Sequence, residues 1–467
     1  MTMHADRNND TIAAISTPSG QGGIGIVRLS GKGSFQVADR IFTSPKGGRP
    51  SGYPSHSIRF GHIRIPDKGD IVDEVLLAVM RAPGTYTSED VVEVNCHGGP
   101  VPLRTILKLC LDQGARLAEP GEFTKRAFLN GRMDLSQAEA VLDMIRSESE
   151  AAQRLAAQQL KGVFSEKIRG LRDRIIRILS DIELAIDFTE EDVQFASSGK
   201  ITRDIKNLRR SVKEVLDTSG KGMILRRGIK AVICGRPNVG KSSLMNALLR
   251  HDRVIVTPVA GTTRDVIEES MDISGVMVRL SDTAGIIGTR DRVGMEGVKR
   301  SRQKLLEADV AVFMVDASRP LSGEDRRIYG MVRGKRTVVV INKIDLPRAF
   351  DVKDAVKAFE TNDVLEVSAL RGRGLDKIEA AIAERSFGGD MDIAIEGPIV
   401  SNLRHKTALE KALEGIERGI EVTDKNYNGE LLSSDLNEAF YRLGLITGES
   451  AGDDVLDSIF SQFCIGK

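Results

Sequence analysis

Long apolar runs are missing from this 467-residue chain. Nowhere do about eighteen uninterrupted apolar residues occur, the length a membrane helix needs, so no membrane span is expected. The opening MTMHADRNND is polar and lacks the apolar centre of a secretory leader, and we expect a cytoplasmic protein. An excess of charge of either sign is missing too. Lys and Arg number 67 against 66 Asp and Glu, a formal net charge of +1, so no global field marks a nucleic-acid or membrane partner and any RNA contact has to be local. Cysteine is scarce and scattered. Cys96, Cys110, Cys234 and Cys464 show no C-x-x-C spacing, which argues against a zinc site or disulfide framework and for a reducing compartment. What is present is apolar material, 41% of residues, enough for the cores of roughly two to four domains.

Halfway along the chain stands GRPNVGKSS, Gly235 to Ser243, between the apolar run IKAVICG and the helix-spaced SSLMNALLR. Strand, glycine loop and helix is the context in which G-x-x-x-x-G-K-[ST] cradles phosphate, because the loop N–H groups and a helix N-terminus then face the same anion. Asn238, Val239, Gly240, Lys241, Ser242 and Ser243 form this candidate cradle. Lys241 would reach the β- and γ-phosphates and Ser242 would offer its hydroxyl to Mg²⁺. Three later segments complete the pattern. VMVRLSDTAG ends a strand at Asp282, suited to a water-mediated Mg²⁺ contact, with Thr283 and Ala284 following and the Gly285 N–H suited to a γ-phosphate. TVVVINKID places Asn342, Lys343 and Asp345 past another strand. An aspartate there accepts from both N1–H and the exocyclic amine of guanine, whereas adenine has no N1–H, so the base is guanine. LEVSAL puts Ser368, Ala369 and Leu370 where they buttress that base.

Strands and helices alternate around these motifs, as in a doubly wound α/β sheet, and the hairpin in ESMDISGVMVRL makes one strand antiparallel. We expect four segments. Residues 1–130 are an α+β domain with strands in TIAAIST, GIGIVRLSG, DEVLLAVMRAP and DVVEVNCHGGP and one clear helix, PLRTILKLCLDQG. Residues 131–221 are helical, broken at DFTEEDV, where Asp187, Glu190, Glu191 and Asp192 read as an acidic loop. Residues 222–387 are the inserted α/β P-loop (Ras-like) G domain, and 388–467 are helical again. A helical tail of that length has a thin core alone. Both helical flanks are therefore expected to form one α-helical bundle split in sequence, with the GTPase inserted as a self-contained unit. His97, beside Cys96, is too little for a metal site and reads as a satisfied turn histidine.

DTIAAISTPSGQGGIGIVRLSG, TYTSEDVVEVNCHGGP, PGEFTKRAFLNGRMDLSQAEA, AGTTRD and the terminal CIGK, spread from Asp10 to Lys467, closely resemble the MnmE (TrmE) family of bacterial tRNA modification GTPases. The resemblance implies a homodimer formed by the N-terminal domains and a potassium-stimulated GTPase whose two G domains approach each other during turnover. It further implies an FAD-dependent partner, MnmG (GidA), in a hetero-oligomer, acting on tRNA to install an aminomethyl-type group at C5 of the wobble uridine. 5-Formyltetrahydrofolate or another tetrahydrofolate one-carbon derivative would be the carrier. A rival reading, a non-catalytic GTP-switched assembly factor for ribosomes or other RNA complexes, uses the same G domain. The order of the motifs that flank that domain favours the enzyme.

Carried over by residue, the resemblance makes Asn238 a K⁺ ligand with Thr257, Val259 and Thr262, and Thr263 a Mg²⁺ ligand. Pro258, Ala260 and Gly261 complete this nucleotide-binding loop. Taken alone, TPVAGTTRD is only a threonine-rich glycine loop. Ile286, after DTAG, cannot hydrogen-bond an attacking water. The family places a glutamate in Val-Glu-x-x-Gly for that task, but this chain reads VGMEG, with Gly294 at the expected position and Glu296 two residues on. Glu296 either reaches in from a shifted loop or is a solvated surface charge. For folate the resemblance points to Arg28, Glu93, Arg132 and Lys467; each alone reads as an ordinary surface charge. Arg132 stands where lysine is common, which keeps the charge and changes the hydrogen-bond geometry. Cys464 is either a nucleophile toward uridine C6, its thiolate favoured by Lys467, or a packed, site-lining cysteine.

Overall fold

The computed structural model describes residues 10–187, 191–251, 269–282, 305–387, 397–425 and 429–467. It divides into two compact units, one made of the chain up to Leu142 together with Phe440–Lys467, the other of Asp143–Ala439.

In the first unit, strands β1 (Ile12–Ile15), β2 (Gly22–Ser30), β3 (Phe42–Thr43), β4 (Ser57–Arg64), β5 (Ile71–Met80), β6 (Val91–Gly98) and β7 (Arg116–Leu117) form a sheet in the order β3-β4-β5-β6-β2-β1-β7. β1 pairs with β7 in parallel and all other neighbours are antiparallel. Strand alternation decides which face is covered. Val27, Leu29, Val75, Leu77, Val79, Val92 and Val94 bury in one core with residues of α1 (Ser34–Ile41) and α2 (Pro100–Asp112). β4 and α1 were not expected. β4 turns only Gly61 and Ile63 to the core, so SIRFGHIR carries little apolar signal, and α1 is a helix of eight residues. His97 lies on β6 rather than in a turn, and its Nδ1 pairs with Asp73 at 2.6 Å.

A second core in this unit gathers residues of α3 (Glu122–Leu129) and α4 (Leu135–Arg146) with Leu456, Ile459, Phe460 and Phe463 of the last helix, Asp453–Phe460, and the turn after it. This packing carries the chain's end to the N-terminal sheet. Pro120 bridges to Ile465, and the Ser16 hydroxyl donates to the Gly466 carbonyl at 3.0 Å.

The second unit opens with α5 (Glu150–Leu160), α6 (Val163–Asp187), α7 (Glu191–Asp217) and α8 (Ser219–Arg227). The break at DFTEEDV falls between α6 and α7, and Glu191 and Asp192 belong to α7 rather than to a loop. Then come β8 (Ile229–Gly235), α9 (Lys241–His251), β9 (Glu269–Ile273), β10 (Val276–Asp282), β11 (Val310–Asp316), α10 (Gly323–Val332), β12 (Arg336–Asn342), α11 (Val352–Phe359), β13 (Val364–Glu366) and α12 (Leu375–Phe387). The sheet order is β13-β12-β11-β8-β10-β9, parallel except for the β9–β10 hairpin. Every residue of β11, VAVFMVD, is buried, as a central parallel strand covered on both faces requires. α9 and α12 contribute to the core on one face, α10 and α11 to that on the other.

Helices from both sides of the sheet in sequence pack together: α7 lies against α6 and against α13 (Leu403–Lys425), and Gly415 of α13 abuts Asp435 and Ala439 of α14 (Gly429–Thr447). The sheet is not self-contained, however. Ala151 and Leu155 of α5 and Ile224 and Leu225 of α8 enter the same core as Met271, Ile273 and Val276, and the Ala151 N–H donates to the Gly275 carbonyl at 3.0 Å. The apolar side of the β9–β10 hairpin needs a cover, and α5 and α8 supply it. Among the described residues no helix is long and apolar enough to cross a membrane.

Candidate nucleotide site

β8 delivers the chain to the cradle at Gly235, and α9 leaves it at Lys241. Two positions admit only glycine. At Gly235, φ is +151° and a Cβ would lie 2.4 Å from the Met314 carbonyl oxygen; at Gly240, φ is +98° and a Cβ would lie 2.3 Å from Asn342 Nδ2. Asn238 takes the left-handed conformation without being glycine, φ 65°. Lys241 Nζ donates to the carbonyls of Gly235 at 3.2 Å and Arg236 at 3.0 Å, which folds the ammonium over the loop. Val239 is buried beneath it while Ser242 and Ser243 face solvent at the start of α9.

The Asn342–Asp345 and Ser368–Leu370 segments are linked to the cradle by hydrogen bonds. Asn342, 2% exposed, donates from Nδ2 to the Val239 carbonyl at 2.8 Å and accepts on Oδ1 from the Ala369 N–H at 3.0 Å. Lys343, itself left-handed at φ 67°, donates to the Asn238 carbonyl at 2.7 Å and to Asp316 Oδ2 at 2.6 Å. The Ser368 hydroxyl donates to Asp345 Oδ1 at 2.6 Å, and this bond holds the Asp345 carboxyl below its ordinary range. Leu370 is 80% exposed beside them. One carboxylate thus stays ionised and oriented, with its second oxygen left for a donor on a base.

At the other end of the cradle, the Ser242 hydroxyl donates to Asp282 Oδ2 at 3.2 Å, and Asp282 Oδ1 is buried with no partner among the described residues. An orphaned carboxylate oxygen next to a serine hydroxyl suits a hydrated divalent cation. Thr257, Pro258, Val259, Ala260, Gly261, Thr262 and Thr263, with Thr283, Ala284, Gly285, Ile286, Gly294 and Glu296, lie outside the described residues.

Two partners here belong to none of the sequence motifs. Asp316 ends the buried strand β11 and pins Lys343; its signal was an acid closing an apolar run. Arg236, inside the cradle sequence, pairs through Nε with Asp325 Oδ1 at 2.7 Å, and Asp325 is fully buried while also accepting from the Ser322 N–H and hydroxyl at the start of α10. That pair anchors the cradle to a helix on the opposite face of the sheet.

The first unit holds a second cluster. Arg28 on β2 and Glu93 on β6 stand opposite each other in the ladder and pair at 2.7 Å. Arg28 also donates to the Gly466 carbonyl at 3.5 Å. Burial, and then the Arg28 charge, pushes the Lys467 ammonium below its ordinary value, with Glu93 opposing. The guanidinium groups of Arg28 and Arg132 both lie over the Tyr86 ring, 5.6 and 4.9 Å from its centre, and Arg132 donates to the Tyr86 carbonyl at 3.0 Å. Arg28, Glu93, Arg132 and Lys467 are therefore brought together, around a tyrosine that the sequence did not single out. Cys464 is exposed while the other three cysteines are buried, and its carbonyl accepts from the Gly121 N–H at 3.4 Å.

A parallel sheet that ends in a glycine cradle, an Asn-Lys-x-Asp corner and a supporting serine defines a P-loop protein of the guanine-nucleotide-binding class. Two family models match the chain: "GTP-binding protein TrmE N-terminus" over residues 11–132 and "MnmE helical domain" over residues 135–464. The tRNA modification GTPase MnmE of Geobacillus kaustophilus (strain HTA426) is 47% identical over 466 residues, covering 98% of this chain and 99% of the relative. The protein of that name from Thermoanaerobacter pseudethanolicus (strain ATCC 33223 / 39E) is 46% identical over 458 residues with the same coverage, 98% and 99%. The chain belongs to the MnmE (TrmE) family of tRNA modification GTPases. Among solved structures, a point variant of Aquifex aeolicus Era bound to GDP·AlF4⁻ is 30% identical with a TM-score of 0.28, over 40% of this chain and 66% of that one.

Proposed function

We propose that this chain hydrolyses GTP to drive modification of tRNA wobble uridine at C5. It does so as a homodimer working with an FAD-dependent MnmG (GidA)-type partner and a tetrahydrofolate one-carbon derivative. The observation that carries the reading is the assembly, in one chain similar along its whole length to tRNA modification GTPases, of both a guanine-nucleotide corner and the Arg28–Glu93–Arg132–Lys467 cluster.

In the G domain, N–H groups of residues 239–243 and the N-terminus of α9 face phosphate, and Lys241 exchanges its loop carbonyls for β- and γ-oxygens. Ser242 and Thr263 would hold Mg²⁺, with Asp282 reaching it through water, and Asn238 would hold K⁺ with Thr257, Val259 and Thr262. The cations supply positive charge where phosphoryl transfer develops negative charge. Asp345 reads guanine, with Ser368, Ala369 and Leu370 behind the base. Glu296 orients water, since Ile286 cannot. In the N-terminal domain, Glu93 takes the amide and amino edge of a pterin, and Arg28, Arg132 and Lys467 meet the negative tail. The Arg28 guanidinium lies over the rings of Tyr86 and Phe123, 5.6 and 5.7 Å from their centres, which holds its charge in place beside Glu93. Cys464, exposed and three residues before Lys467, is the nucleophile candidate toward uridine. The uncovered face of the sheet presents Ile58, Phe60 and Leu76, 61%, 47% and 48% exposed, and a second copy of the chain covers them.

Nucleoside mass spectrometry of tRNA from cells lacking the chain tests the proposal: loss of the wobble modification is expected, and unchanged nucleosides refute it. GTP hydrolysis is expected to run faster in K⁺ than in Na⁺; equal rates remove Asn238 from the cation site.

A further inference from the structure

The charges of this nearly neutral chain are sorted on α7. Its residues Ile201, Ile205, Leu208, Val212 and Val215 are buried at helical spacing and fix which side faces the bundle. On the opposite side, Arg203, Lys206, Arg209, Arg210 and Lys213 are all exposed. Advancing about 100° per residue, these five cations fall within roughly a third of the helix circumference. Glu214 lies at the edge of that arc and Asp217 at its C-terminal end. Arg203, Arg209, Arg210 and Lys213 have no carboxylate partner among the described residues. Two other bundle cations are paired, Lys200 at the N-terminal side of α7 with Asp181 at 2.7 Å and Arg418 of α13 with Asp435 at 2.9 Å.

We infer that the solvent face of α7 is a docking ridge for the sugar–phosphate backbone of RNA. Three features favour RNA over a protein surface. From Arg203 to Lys213 the cations stand three, three, one and three residues apart, so the ridge offers repeated positive charge along about 15 Å, a length over which a nucleic-acid strand presents several phosphates. Three of the five are arginines, whose planar forks grip phosphate oxygens in pairs. No large apolar side chain of Gly199–Asp217 is exposed, so the ridge lacks the aromatic or aliphatic anchors on which protein interfaces depend. The contact is backbone-directed and blind to base identity; sequence selection lies elsewhere. This inference rests on the proposed action on tRNA and assigns that substrate a surface on the helix that ends eighteen residues before the nucleotide cradle begins at Gly235.

The test uses the full-length protein and a fluorophore-labelled, unmodified tRNA transcript, with binding followed by anisotropy over a series of KCl concentrations. The comparison is wild type against Arg203→Gln/Arg209→Gln/Arg210→Gln/Lys213→Gln. The variant is expected to bind more than tenfold more weakly at about 0.1 M salt, and its plot of log affinity against log salt is expected to flatten by roughly one unit per lost contact. GTP hydrolysis at fixed K⁺ is expected to stay unchanged, which shows that the variant is folded. Replacing the three arginines by lysine is expected to retain most of the affinity and the slope. Should the quadruple variant not fold, Arg203→Gln/Arg210→Gln and Arg209→Gln/Lys213→Gln are each expected to give about half the change in slope. Equal affinity and slope for wild type and variants overturn the ridge. So does a variant that loses an FAD-dependent protein partner yet binds tRNA as before, which makes the face a protein dock. Either result leaves the tRNA-modification reading standing, because that reading falls only on unchanged wobble nucleosides.

Discussion

Replacing Arg236 by alanine removes the guanidinium that ties the nucleotide cradle to α10. Its partner Asp325 has no exposed surface, and Arg236 is 18% exposed. Breaking a fully buried ion pair from one side costs about 3–5 kcal/mol, because the remaining charge is stranded. Here the loss is smaller. Asp325 keeps two hydrogen bonds to its other oxygen, from the Ser322 N–H and hydroxyl at 2.9 Å each, and water can follow the space that Arg236 vacates. About 2 kcal/mol remains, a factor of roughly thirty in the folding equilibrium of the G domain. The effect should reach the nucleotide, since the Arg236 carbonyl is one of two oxygens that hold Lys241. Urea unfolding followed by release of a fluorescent GDP analogue reports on the sheet that carries the cradle together with the α5 and α8 segments packed into its core. A double-mutant cycle with Asp325→Asn isolates the pair, and a coupling of about 1–2 kcal/mol is expected. A coupling under about 0.5 kcal/mol refutes the reasoning and makes Asp325 no more than the capping-box partner of Ser322 at the start of α10.

Asp345→Asn presents an amide where guanine needs two acceptors. Competition binding should show the preference for GTP lost by about a thousandfold or more and a gain for xanthosine triphosphate, whose C2 oxygen accepts from the amide; retained guanine preference would show that Asp345 does not face the base. Gly240→Ala would put a methyl 2.3 Å from Asn342 Nδ2 at a φ of +98°, so GTP affinity should drop by more than about a hundredfold and the Asn342 link to Val239 should break; near-normal affinity by calorimetry would contradict the cradle geometry. Burial pushes the Asp316 carboxyl up, but hydrogen bonds from Lys343 and Ser318 outweigh it and hold the group below its ordinary value. A carboxyl lowered on folding stabilises above its unfolded pKa and loses that contribution as pH falls through the folded one. The Asp316–Lys343 link should thus persist at neutral pH and fade below about pH 4, and Asp316→Asn should flatten the acid limb of the urea midpoint; parallel limbs would refute the link.

Much of the nucleotide corner was legible because each part is local. Gly240 and Lys241 are adjacent, Asn342 and Asp345 are three apart, and backbone conformation within such a stretch follows from residue type. The β9–β10 hairpin was legible for the same reason, with Ser274 and Gly275 both left-handed at its turn. β4 was not, because an edge-side strand that buries only Gly61 and Ile63 carries almost no alternation. Tyr86 was silent too: an aromatic residue gives no sign that two guanidinium groups from distant segments will share its ring.

From its own order of residues, the chain determined that a glycine loop joins a buried strand to a helix, that an Asn-Lys-x-Asp segment closes another strand, and that helices flank both on either side. Tertiary structure alone decided that α5 and α8 close the core beneath the β9–β10 hairpin, that Arg236 finds Asp325, and that Arg28 meets the Gly466 carbonyl 438 positions away. The physical reason is the reach of each interaction. A loop conformation depends on neighbours a few bonds off, whereas a contact between distant segments exists only after packed cores have overcome the entropy of closing the chain between them.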